Sequence, residues 1–79
     1  MVEFETLKRD TVRFGDNEFI EVARKKAISE DGENEFISLA RGYVDEEGDE
    51  RYKANFSVPV DDEVVAFLQD ILPDMLDFE

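Results

Sequence analysis

The chain changes hydrophobic period once, near Asp61, and that change restricts its fold more than anything else it carries. Before it, apolar residues recur at every second position. Tyr52, Ala54, Phe56, Val58 and Val60 form the cleanest run, the pattern of a strand that turns one side to a core. After it, Val64, Phe67, Leu68, Ile71 and Leu72 fall at i, i+3, i+4, i+7 and i+8, the stripe of an amphipathic helix. Strands first and a helix last make an α+β fold: an antiparallel meander of four to five strands, followed by one C-terminal helix packed on one face.

Turn chemistry divides the strand region. Val2, Phe4 and Thr6 alternate with Glu3 and Glu5 as a short first strand, and Thr11–Phe14 is a second short segment. Gly15-Asp16-Asn17 turns the chain. Phe19–Ala27 is rich in β-formers, Asp31-Gly32 supplies a hairpin turn, and Glu35–Val44 is the returning strand. Asp45–Glu50 is an acidic loop around Gly48, and Tyr52–Val60 follows it. Asp61 or Asp62 caps the helix through a side-chain oxygen, and Asp62 and Glu63 suit its positive end. Pro73 ends it, because proline has no N–H to donate. The 79 residues thus form one domain: an N-terminal extension over 1–18, a meander over 19–60, a helix over 61–72 and a tail over 73–79. Met75, Leu76 and Phe78 of that tail need cover.

Pairing Val22 with Arg41 across the Asp31-Gly32 turn assigns two faces. The first holds Ile20, Val22, Arg24, Lys26, Ile37, Leu39, Arg41 and Tyr43, joined by Arg51 and Lys53. The second holds Phe19, Glu21, Ala23, Ala40, Gly42 and Val44, and continues into Ala54, Phe56 and Val58. Its small residues admit a helix closely, so that face is assigned to the helix. A slip of one residue exchanges the faces.

Charge then separates the faces further. The chain has 22 acids against nine bases, a net charge of −13. All nine bases lie between Lys8 and Lys53, and the chain beyond Lys53 carries seven acids and no base. Five of the cations converge on the first face. Cations interleaved with aliphatic groups and Tyr43 offer stacking surface and phosphate neutralisation, which single-stranded nucleic acid binding needs. The same face equally suits burial against a second copy, with its cations solvated or paired to some of the acids. Small domains often gain stability by such pairing.

Several chemistries are excluded or weakened. With no cysteine and no histidine, there is no thiolate metal site, no ordinary structural zinc site and no Ser-His-Asp or Cys-His arrangement. Ser29, Ser38 and Ser57 have no evident base. The four glycines form no phosphate-cradling motif. An enzyme is not expected, nor is a cofactor. The acidic loops hold oxygen ligands of the kind calcium takes, Asp45, Glu47 and Asp49 being the nearest to a ligand set. Neither loop has EF-hand spacing, and a solvated turn accounts for them too. No apolar run reaches signal or membrane-span length, so a cytoplasmic protein with no membrane partner is expected. The acidity suits a high-salt, halophilic cytoplasm as well as it suits an ordinary acidic protein.

Ile37-Ser38-Leu39-Ala40-Arg41-Gly42-Tyr43, the acid–glycine turn Asp45–Glu50, the basic pair Arg51 and Lys53, Phe56-Ser57-Val58 and the acidic helix start Asp61-Asp62-Glu63 follow in succession. In this order residues 19–72 resemble the positive cofactor four family of transcriptional coactivators. The resemblance implies a dimer that binds single-stranded DNA on its sheet, with Arg24, Lys26, Arg41, Tyr43, Arg51 and Lys53 as contacts. The expectation is a non-enzymatic binding module for single-stranded nucleic acid. The alternatives are a protein–protein interaction domain or homodimer, and a divalent-cation binder.

Overall fold

The computed structural model describes residues 1–77. Four antiparallel strands lie in chain order, β1 (Glu3–Phe14), β2 (Glu18–Ser29), β3 (Gly32–Val44) and β4 (Glu50–Pro59), and one helix follows, α1 (Asp62–Leu76). The meander and the C-terminal helix are therefore both present. The two short N-terminal segments are one strand of 12 residues with a bulge at Leu7. Lys8, Arg9 and Asp10 show no apolar alternation, yet they pair with Arg24, Ala23 and Val22. A ready partner strand outweighs weak local preference. As an exposed edge, β1 carries charges and the bulge, both of which discourage edge-to-edge association.

The β2–β3 register differs from the expected one by two residues. Val22 faces Leu39, Ile20 faces Arg41 and Arg24 faces Ile37. The turn residues are Glu30 and Asp31, and Gly32 follows with φ 133°. Positive φ is available to glycine alone here, so the chain turns one step earlier than the Asp31-Gly32 pairing requires. A slip of two leaves every side chain on its face.

A second bulge has larger consequences. Arg41 faces Ala54 but Gly42 faces Tyr52, so Lys53 is an extra residue in β4. Tyr52 and Ala54 therefore lie on opposite faces, and the apparent single run of alternation is two runs. Ala54, Phe56 and Val58 stand opposite Arg41, Leu39 and Ile37, on the first face and not on the second.

The second face is covered by its own side chains. Phe19 is fully buried, and Glu21, Ala23, Ser38 and Ala40 are buried with it. Phe19 and Tyr52 meet edge to face, with ring centroids 5.3 Å apart, and Phe4 meets Phe36 at 6.2 Å. Both contacts skip a strand. Strands two apart are separated by about 9.5 Å, so these rings lean inward over the small residues between them. Gly42 lies between Phe19 and Tyr52 in the register. A β-carbon there would stand 2.8 Å from Phe19 Cζ and would also clash with the carbonyl of Arg51.

The helix does not cover either face. It makes at most marginal contact with the strands, and none of its described residues is buried. The protomer is a plate of 47 × 39 × 17 Å with a radius of gyration of 15.0 Å, against roughly 11–12 Å for a compact domain of this length. The helix also runs through Pro73 to Leu76. Proline this close to the C-terminus removes one intrahelical bond, and the turn closes beyond it through Asp77 N–H donating to Asp74 O at 3.2 Å. Met75 and Leu76 are thus helical, while Phe78 lies outside the described residues.

Candidate interaction face

The first face gathers residues from all four strands. Ile20, Val22, Arg24 and Lys26 come from β2, and Ile37, Leu39, Arg41 and Tyr43 from β3. Ala54, Phe56 and Val58 come from β4, with Arg51 opposite Tyr43. β1 adds Val12 opposite Ile20 and Phe14 beside Glu18. Lys53, displaced by its bulge, reaches back so that Nζ sits 5.5 Å from the Tyr43 ring centroid. All six residues expected at the site therefore share this face.

The cations are largely engaged. Arg24 binds Glu35 at 2.8 Å, Lys26 binds Glu33 at 3.2 Å, Arg41 binds Glu18 at 2.7 Å and Arg51 binds Asp45 at 2.9 Å. In the three β2–β3 pairs, the carboxylate stands diagonally from the cation on the neighbouring strand. Side chains of this length reach such diagonal neighbours. Lys53 makes no ion pair among the described residues. The partners respond electrostatically: the Arg41 guanidinium hydrogen-bonded to Glu18 holds that carboxyl below its ordinary value, and Glu33 raises Lys26. Every pair has at least one exposed partner, so the pairs are weak, screened by salt and able to exchange partners. Sequence reading missed the acids, because their places follow from a register two residues away from the expected one.

Between the cations the face is apolar and open. Phe56 is 62% exposed and Val22 44%. A shallow depression of about 320 Å³ is bounded by Ile20, Leu39, Arg41, Ala54 and Phe56. Arg41 also lies 5.4 Å from the Phe14 ring centroid, within cation–π range. Phe14 and Phe56 were not among the expected site residues. Alternation alone places Phe56 on the other face, because the bulge at Lys53 leaves no mark on the residue pattern.

The acidic loop is built as a turn. Asp45 Oδ1 accepts from the N–H groups of Glu47 at 3.0 Å and Asp49 at 2.9 Å, and Oδ2 accepts from Arg51 Nε at 2.9 Å. The Asp49 N–H foremost, then Arg51, hold the Asp45 carboxyl below its ordinary value. Both of its oxygens are thus committed within the protein. Asp45, Glu47 and Asp49 do not converge as ligands, and no group of three or more acids that could hold a metal ion forms among the described residues.

On the opposite face, the buried Glu21 is held by Tyr52 OH, which donates to Oε2 at 2.9 Å, and by Arg9 at 3.6 Å. This contact raises the tyrosine above its ordinary value. The network closes the centre of the second face, while Phe4 and Tyr52 stay 67% and 48% exposed on it. No described helix is long and apolar enough to cross a membrane. No protein-family model matches the chain, and no curated protein or solved structure shows significant similarity to it.

Proposed function

We propose that the chain is a non-catalytic, cytoplasmic interaction module that works as a homodimer through its first face. The open apolar surface around Ile20, Val22 and Phe56 carries this reading: the centre of the other face is buried under its own side chains, and the centre of this one is open around Phe56. The largest exposed apolar patch of a soluble protein is often its interaction site. The ion-paired cations suit a protein interface, because they arrive already neutralised. Sedimentation equilibrium of the full chain across the micromolar range tests the proposal. The expected result is a reversible dimer, and a monomer throughout the range refutes it.

Single-stranded nucleic acid binding is the second reading, and the pairing of Lys53 with Tyr43 favours it. A cation beside an exposed ring, with Arg51 and Arg41 near it, is a stacking and phosphate-neutralising corner. Labelled oligonucleotides at low salt should then bind, lose affinity steeply with added salt and lose it again in Lys53→Glu and Tyr43→Ala. Absence of binding at the lowest salt removes this reading and leaves the first intact.

A further inference from the structure

We infer that the helix docks in trans, the acidic and apolar α1 of one copy lying across the apolar first face of a second copy beside Lys53, and reciprocally. This rests on the homodimer reading and specifies its interface. Each surface lacks a partner within its own protomer. Phe67, Leu72 and Met75 are 60%, 61% and 62% exposed, and an isolated helix of this length is marginal in water without a packed face. The link from β4 to the helix is Val60 and Asp61 alone. Asp61 N–H donates to Pro59 O at 2.9 Å, and its side chain accepts from Glu63 N–H at 2.8 Å and Val64 N–H at 3.3 Å. So short and bonded a link fixes the direction in which the helix leaves the sheet.

Charge complementarity identifies the occupant. Asp62, Glu63, Asp70 and Asp74 lie in the helix, which carries no base. Glu63, Asp70 and Asp74 recur at i, i+7 and i+11, a row along the Phe67 edge of the apolar stripe. The first face presents apolar residues beside Lys53, which has no carboxylate partner among the described residues, and beside Arg41 and Arg51, whose exposed pairs with Glu18 and Asp45 can exchange. Both surfaces are apolar at the centre, and the unpaired ammonium of Lys53 is the charge that the acidic row of the helix complements. The two surfaces are matched in extent: Phe67, Leu72, Met75 and Leu76 of the helix and Ile20, Val22, Tyr43 and Phe56 of the face are all left exposed. A two-fold axis relates the two junctions, so the assembly closes at two copies.

Phe67→Asp breaks the helix surface and Phe56→Asp the sheet surface. Both rings are exposed in the protomer, and circular dichroism checks that each variant keeps its fold. By sedimentation velocity each variant should self-associate at least about 30-fold more weakly than the parent chain. An equimolar mixture should recover dimer, because the intact helix of the Phe56→Asp copy meets the intact face of the Phe67→Asp copy. As a variant that keeps the apolar stripe, Asp70→Asn with Asp74→Asn should weaken association and flatten its salt dependence. If either aromatic variant dimerises like the parent, or the mixture stays monomeric, docking in trans is overturned while the homodimer reading stands. A monomeric parent chain removes both.

Discussion

Tyr52→Phe is the sharpest probe of how the second face is closed. The substitution removes one oxygen and keeps the ring, so the edge-to-face contact with Phe19 at 5.3 Å survives. What is lost is the hydrogen bond at 2.9 Å to Glu21, a carboxylate only 4% exposed, whose remaining cation, Arg9, stands 3.6 Å away. A hydrogen bond to a charged group is worth about 1.5–3 kcal/mol. Tyr52 is itself 48% exposed, and solvent screening moves the expectation to about 1–2 kcal/mol. For a chain this small, with an urea m-value of about 1 kcal/mol/M, the unfolding midpoint should fall by about 1–2 M at fixed protein concentration. The pH dependence supplies an independent check. The bond to Glu21, then burial, raises Tyr52 above its ordinary value of 10.0. Its contribution is therefore complete below 10.0 and lost as pH rises through the higher folded value. The parent chain should lose stability in that alkaline range, and Tyr52→Phe should lack this loss. A midpoint shift below about 0.3 M, or the same alkaline loss in both proteins, would refute the account of Glu21 as dependent on Tyr52.

Three further outcomes follow from the geometry. Gly42→Ala should cost about 1–3 kcal/mol by thermal unfolding, because its β-carbon meets Phe19 and the Arg51 carbonyl, and backbone cannot step aside as a flexible side chain does. Asp45→Ala should open the Glu46–Glu50 turn. The contribution of Asp45 is present above its ordinary value of 3.8 and lost as pH falls through the lower folded value, so the variant should lack that part of the acid destabilisation seen in the parent. Asp61→Ala removes the acceptor for two helix N–H groups and should cost the helix about 0.5–2 kcal/mol, read as lower helical dichroism with the strand signal retained.

Periodicity made the strand order, the helix and the first-face membership of all six expected site residues legible. Membership survived a register error because the error was two residues, and a period of two is blind to it. Lys53 shows the limit. A bulge inserts a residue without interrupting the alternation of apolar and polar types, so Tyr52 and Ala54 read as neighbours on one side although a backbone irregularity separates them. The helix shows another limit. Its stripe establishes that something must cover it, but the stripe is the same whether the cover is its own sheet or another copy. Pro73 misled for a local reason: near the end of a helix it costs one bond and does not terminate the turn.

The attachment of α1 to the sheet by two residues, with almost no packing between them, divides the protein into parts with different opening energies. Amides of β2 and β3 are flanked by strands on both sides, and they exchange with solvent only when the sheet as a whole comes apart. The helix has no such anchor inside the protomer, so its amides exchange through local fraying. Protection in the strands should then persist on dilution below the dimer dissociation constant, where the folded single chain sets it. If the helix docks in trans, its protection should rise with protein concentration.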